Sequence, residues 1–391
     1  MTNKHKGTFV IRTIKYLTLT ILGLALIACN KSEDLTPVPT PLTEIVIKVD
    51  LDEKWSAKAG SGNDELYLRL TPVIVGNRIY VVDAEGNLNA FNKNTGQQSW
   101  HNDTDQSITG GLGAVGTELL LVANSRGEII AYSQKNGSEK WRTSINSEVL
   151  TPPIGADSHV LAYAANNNLY GLANINGELD WEINNPAPAL VLRGNSMPLV
   201  IDDKIAYVGL SNGKVIAVDV TSGQKIWERP VSVPRGRSEL QRMVDISGQM
   251  ALVDDTLYAV TYQGHVAALS TATGRELWQR EMSSYSGVNA NRDYVAISDA
   301  EDHVWLLSAK DGTTLWKQDT LLYRNLTVPV FWHDYIIVGD KEGYLHILSV
   351  KEGKLVGREK IGGDGIVVSP IVVDNVLYVS TSDGKLIAYT F

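Results

Sequence analysis

Taken as a string of apolar and polar positions, most of the chain repeats one pattern at an interval near forty residues. Alternating apolar runs such as "NRIYVVDA", "DKIAYVGL" and "NVLYVSTS" are each followed by a tight turn and a second alternating run. The turn-plus-run copies are "EGNLNAF", "RGEIIAY", "NNNLYGL", "NGKVIAV", "QGHVAAL", "EDHVWLL", "EGYLHIL" and "DGKLIAY", eight in all. Period-two alternation bounded by Gly, Asn and Asp predicts short strands joined by hairpins, whose turns demand the positive φ that Gly and Asn supply. A further signal, Gly-x-x-x-Trp, recurs at Gly96/Trp100, Gly137/Trp141, Gly177/Trp181, Gly223/Trp227, Gly274/Trp278 and Gly312/Trp316. A seventh copy, "KEGKLVG", keeps Gly353 but has Gly357 where Trp is expected. Counting Gly357 as the last mark, the successive intervals are 41, 40, 46, 51, 38 and 41 residues.

Each unit therefore predicts four antiparallel strands, too few to bury both faces of one small sheet. Units of this size stack radially, which predicts an all-β fold, an eight-bladed β-propeller of four-stranded antiparallel blades. The last unit stops at Phe391 after its third strand, whereas "EIVIKVDLDEKWSA" is an orphan strand whose Trp55 matches the repeat's Trp position. Pairing the two completes blade eight and removes the terminal edges that invite aggregation. The repeated Trp residues are expected to dock blades, each burying ~150–250 Å² with its N–H bonded to a neighbouring carbonyl.

Composition changes the picture mainly at the N-terminus. Lys4, Lys6, Arg12 and Lys15 precede the apolar run "YLTLTILGLALIA", the pattern of an export signal over residues 1–28. The run is shorter than the ~20 apolar residues of a membrane span. It ends in "LIAC", which resembles the bacterial lipobox, and Cys29 is the only cysteine in the chain. Cys29 is thus the expected lipidation site, and Asn30 after it favours the outer membrane by resemblance to lipoprotein sorting rules. Residues 29–43, "CNKSEDLTPVPTPLT", read as the lipidated terminus and a flexible Pro-rich tether, and residues 44–391 as one propeller domain. Without the signal, 31 basic face 44 acidic residues, a net charge of −13. That balance excludes a nucleic-acid partner, which requires clustered Lys and Arg, and fits a periplasmic body.

Catalytic chemistry is hard to find. The repeat "AVDVTSGQKIW" resembles those of pyrroloquinoline-quinone dehydrogenases, which makes a quinone-dependent periplasmic oxidoreductase the alternative to be weighed. Those enzymes use adjacent cysteines, Ca²⁺ ligands and an Asp base, whereas this chain has no cysteine pair and no acidic cluster with Ca²⁺ spacing. His265 and His303 occupy equivalent repeat positions, but other repeats carry Asn87, Glu128, Lys214, Tyr344 and Lys385 there. Neither cofactor nor metal is expected, and no nucleophile elbow or P-loop occurs.

The two stretched intervals carry more information. The 46-residue interval contains "NPAPALVLRGNS" and the 51-residue interval "RPVSVPRGRSELQRMVDISG". Both are interblade connections, which share one face of a propeller, and they flank the same blade. Leu190, Leu192, Arg193, Arg235, Arg237, Glu239, Arg242 and Asp245 are thereby expected to form one patch. Extended backbone would point Leu190 and Leu192 the same way, and an apolar anchor beside an Arg fork is the make-up of an interface hot spot. The leucines could equally fold back on the rim, with the arginines as solubilising charges. Two adjacent inserts on one face favour a partner surface.

With lipobox, tether, eight repeats and the segments "LVLRG" (Leu190 to Gly194), "SELQRMVDIS" (Ser238 to Ser247) and "VGDKEGYLH" (Val338 to His346), nearly the whole chain resembles the BamB family. That family supplies the lipoprotein subunit of the machinery that folds β-barrels into the outer membrane. The resemblance implies a non-catalytic scaffold held at the inner leaflet of the outer membrane and docked on the periplasmic POTRA domains of BamA. It implies that Leu190, Leu192 and Arg193 contact BamA, with Arg242 and Asp245 nearby. Ser247 stands where the family usually carries a second acidic residue. Capture of unfolded outer-membrane proteins on exposed outer strands by β-augmentation is a further expectation.

Overall fold

The computed structural model describes residues 37–62, 68–362 and 364–391; the signal segment, Cys29 and the first part of the expected tether lie outside them. Residues 39–391 form one compact unit. They build eight four-stranded antiparallel sheets, seven of them in simple sequential order, so the expected eight-bladed propeller is observed. Blades 1 to 7 span residues 73–103, 108–144, 154–183, 199–230, 251–282, 288–318 and 330–360. Blade 8 combines Ile371–Val373, Val376–Ser380 and Lys385–Thr390 with the N-terminal strand Asp52–Lys58. That strand pairs antiparallel with Lys385–Thr390, Trp55 lying opposite Ala388, and thereby closes the ring.

The Gly-x-x-x-Trp repeat is an interlock between consecutive blades. Trp55, Trp100, Trp141, Trp181, Trp227, Trp278 and Trp316 donate their indole N–H to carbonyls of Lys93, Gln134, Asn174, Val220, Thr271, Ala309 and Val350, always in the next blade, at 2.7–3.1 Å. Each indole also lies over the repeat's glycine in that next blade, so that a Cβ on Gly223, for example, would meet the Trp181 ring at 2.6 Å. These glycines sit at positive φ, +69° at Gly223. Turn conformation and indole contact thus both exclude a side chain. Tyr80, Tyr207, Tyr258 and Tyr378 reach the same carbonyls from the second strands of their blades. Seven of the nine Trp thus share one repeated role.

Closure offers a direct check. Trp55→Phe removes the indole bond to Lys93 but keeps most of the ring packing against Gly96 and Tyr378. It is expected to cost about 1–2 kcal/mol in urea unfolding, the worth of one hydrogen bond plus some area.

In seven of the eight blades the middle residue of the second turn has positive φ, and in two of them it is Asn167 or Asp302 rather than glycine. Each uses its side chain to hold the connector that follows its blade. The Asp302 carboxylate accepts the N–H groups of Asn325 and Leu326 at 2.7 and 2.8 Å. Asn167 donates to the carbonyls of Asn185 and Pro186, where the first insert begins.

The chain upstream of the closing strand is already attached to the ring. Thr40 N–H donates to Leu322 O, and the amides of Lys48 and Val49 both donate to Val356 O. Arg324 and Arg358 donate to the carbonyls of Thr40 and Thr43, and Leu42 packs into the core between blades 6 and 7. The sequence boundary at residue 44 therefore falls inside a segment that is bonded from Thr40 onward, first to the connector between blades 6 and 7 and then to blade 7.

Candidate functional site

The two inserts connect blades 3 to 4 and 4 to 5, and the structure joins them directly. Leu192 N–H in the first donates to Asp245 Oδ1 in the second at 3.0 Å. Asn185, Asn167 and Asn195 pin the first insert: Asn185 Nδ2 donates to Asn167 O, and Asn195 Nδ2 to Ala164 O. The second insert braces itself. Gln241 Oε1 accepts the N–H groups of Arg237 and Ser238, while Ser238 Oγ accepts that of Gln241. This stabilises a single 3₁₀ turn over Leu240–Arg242. Beyond it, Met243, Val244, Ile246 and Met250 are buried, and the last two pack between blades 4 and 5.

The residues predicted from sequence divide by exposure. Arg235, Arg237, Glu239 and Arg242 are exposed, as are Leu190 at 42% and Arg193 at 67%, while Leu192 is half-buried. The first insert bends at Ala189–Leu190 and again at Arg193 instead of running as a strand. Leu190 consequently stands further out than Leu192, whose main chain is held by Asp245. Arg193 lies 3.4 Å from Glu148, a surface pair of small worth. Arg242 lies 3.6 Å from Glu239, and among the described residues Arg235 and Arg237 have no carboxylate in ion-pair reach.

Asp245 is 1% exposed and sits behind the ledge rather than on it. Burial raises its carboxyl to about 6, a rise only partly offset by the bond from Leu192 N–H. Its Oδ2 has no hydrogen-bond partner among the described residues, and neither does buried Ser247 Oγ. Tyr163 lines the same region; burial pushes its hydroxyl up to about 12, and the Asp245 charge adds to the rise.

Sequence reasoning missed three contributors. Leu240, 59% exposed, is an outward apolar side chain of the second insert, between Glu239 and Arg242 in sequence. Asn167 and Asn195 are positioning residues for the first insert. The signal for Asn167 was its place in "NNNLYGL", where most repeats have glycine. The two repeat-equivalent histidines go separate ways, His265 to Ser232 Oγ and His303 to Asp299.

The most elaborated feature of the propeller is a braced polar-and-apolar ledge on the connector face. Quinohemoprotein alcohol dehydrogenase from Comamonas testosteroni shares the architecture, with a TM-score of 0.69 over 87% of this chain and 76% of that one, but at 13% identity the likeness is one of fold alone. The family profile described as outer membrane protein assembly factor BamB matches residues 45–110 and 84–318. The BamB of Pseudomonas aeruginosa is 41% identical over 376 residues, covering 96% of this chain and 98% of its own. The crystal structure of BamB from Moraxella catarrhalis superposes with a TM-score of 0.81 at 26% identity, covering 88% of this chain and all of that one. The chain belongs to the BamB family of outer membrane protein assembly factors, which are not enzymes.

Proposed function

We propose that this protein is a lipid-anchored scaffold of outer-membrane β-barrel assembly, attached through Cys29 to the inner leaflet of the outer membrane and facing the periplasm. Its partner is BamA, engaged at the POTRA domains by the two-insert ledge. The observation that carries this reading is the Leu192–Asp245 bond, which makes one preorganised surface of two loops and lifts Leu190, Arg193, Leu240 and the exposed arginines out of the ring. Preorganisation lowers the entropic cost of association, and apolar anchors beside Arg are the usual carriers of interface energy.

The test is recovery of BamA by immobilised wild type and by Leu192→Glu plus Arg193→Ala. A buried-edge charge together with a lost guanidinium is expected to weaken binding at least ~30-fold, on the scale of a hot-spot pair. Equal recovery, with the variant still folded by circular dichroism, rejects the ledge as the docking surface.

A second role rests on a separate observation. Leu179, Ile226, Leu277 and Leu315 are exposed on the outer strands of consecutive blades 3 to 6. An outer strand with an exposed apolar residue and a free edge suits capture of an unfolded barrel strand by β-augmentation. Photocrosslinkers at these four positions are expected to trap unfolded porin during export; adducts to BamA alone would reject this role.

A further inference from the structure

Blade 7 breaks the interlock that joins the other blades. Its neighbour, blade 8, takes its outer strand from the N-terminus, so it has no third hairpin turn and no glycine on which a blade 7 indole could rest. Gly357 stands at that Trp position. Its φ is not among the positive ones, so backbone conformation does not ask for glycine there. Space does: a Cβ at Gly357 would lie 2.5 Å from Val49 O. The arm, residues 39–49, passes over this point with the amides of Lys48 and Val49 bonded to Val356 O at 2.7 and 3.1 Å.

The upper half of the arm meets the "VGDKEGYLH" segment, which the docking ledge does not use. Asp340 and His346 are fully buried, and Arg324 is 2% exposed. Arg324 Nε donates to Asp340 Oδ2 at 2.7 Å, and Nη2 donates to Glu342. Its third nitrogen, Nη1, reaches Thr40 O at 3.0 Å. A buried guanidinium must satisfy its N–H groups, and here the arm supplies the acceptor for Nη1. Arg358, whose Nε leans on His346 Nδ1, donates to Thr43 O at 2.9 Å in the same way.

We propose that blade 7 is a receptor built for the chain's own N-terminal arm, and that it fixes the tether's departure point at the connector between blades 6 and 7. The arm then runs antiparallel to Leu355–Lys360, from the connector face to the opposite one, before turning back as the closing strand. What this means at the membrane rests on the lipid-anchor reading of Cys29; the seating itself does not. With the arm seated, the leash from Cys29 to residue 38 can extend ~35 Å; released as far as residue 50, it could extend ~75 Å. The receptor thus halves the distance the ring can stray from the bilayer and ties down the ring at a point two to three blades away from the ledge.

Amide exchange read by mass spectrometry, on the full lipidated chain in phosphatidylethanolamine–phosphatidylglycerol liposomes, tests this. Wild type is compared with Gly357→Trp, which restores the repeat residue, and with Arg324→Gln. The 39–49 peptide is expected to be protected in wild type and to exchange at least ~10-fold faster in both variants, while blades 1 to 5 are unchanged, as for a local opening. If Arg324→Gln misfolds, Gly357→Trp, on an outer strand, decides the matter. Exchange of the wild-type arm at the rate of free chain, or an unchanged rate in Gly357→Trp, overturns the proposal. The mass of the Cys29 peptide and flotation with the liposomes report lipidation separately. A protected arm on an unlipidated chain upholds the seating and removes only the anchor, whereas a lipidated chain with an unprotected arm removes the seating.

Discussion

Asp340→Ala is expected to destabilise the propeller by about 3–5 kcal/mol, the cost of stranding buried charge without its partner. The Asp340 carboxylate takes part in four hydrogen bonds: Oδ1 accepts the amides of Glu342 and Tyr344, and Oδ2 meets Arg324 Nε and His346 Nε2. Burial alone would raise its carboxyl, but His346, the Tyr344 amide and Arg324 together hold it below the ordinary aspartate range. His346 is pushed below its ordinary value chiefly by burial, which Asp340 only partly offsets. It therefore stays neutral, donating to Asp340 from Nε2 and accepting Arg358 at Nδ1. Both shifts act in the same direction with pH. Below ~6.5 an unfolded histidine binds a proton that the folded His346 resists, and below ~3.8 the same holds for Asp340, so their stabilisation is lost as pH falls. Urea midpoints for wild type and Asp340→Ala at neutral pH check the first claim. A loss under ~1 kcal/mol would mean that water or a rearranged Glu342 replaces Asp340 without cost.

Asp245→Asn is expected to act in the opposite direction, stabilising the fold by on the order of 2–3 kcal/mol at pH 7.5. Because burial raises the Asp245 carboxyl to about 6, the folded state holds its proton more tightly than the unfolded chain does. Stability therefore drops as pH rises from ~3.8 to about 6 and stays lower above it. Asparagine still offers an oxygen to Leu192 N–H but carries no charge to bury. The gain over wild type should shrink to nothing below pH ~4, where both side chains are neutral. A pH-independent difference would show that the carboxylate is already compensated.

The ring was largely legible in the sequence because its determinants are local and repeated. Strand alternation, turn glycines and the Gly-x-x-x-Trp signal recur in nearly every unit, and the truncated last unit pointed to Trp55 as its missing outer strand. The ledge was legible as two overlong intervals, but the depth of its residues was not. Nothing in "RMVDIS" says that Asp245 turns inward, because that depends on a bond to Leu192, 53 residues away. Equal projection of Leu190 and Leu192 assumed a strand, whereas the segment bends at Leu190 and Arg193 between its anchors at Asn185 and Asn195. The seat of the N-terminal arm was hidden for the same reason: Arg324 and Thr40 lie 284 residues apart. Gly357 for Trp was visible as an exception, but its cause lies at the other end of the chain.

The way the ring shuts also sets a timetable. Asp52 pairs with Thr390, 338 positions later. The closing strand therefore emerges before the rest of the ring during synthesis and is satisfied last. Until the final hairpin arrives it has no partner in its own blade, and closing so long a loop is slow, because chain entropy must be spent before the contact repays it. A chain halted anywhere short of Lys385 would carry an unzipped eighth blade, with two open edges exposed to proteases and to other extended chains.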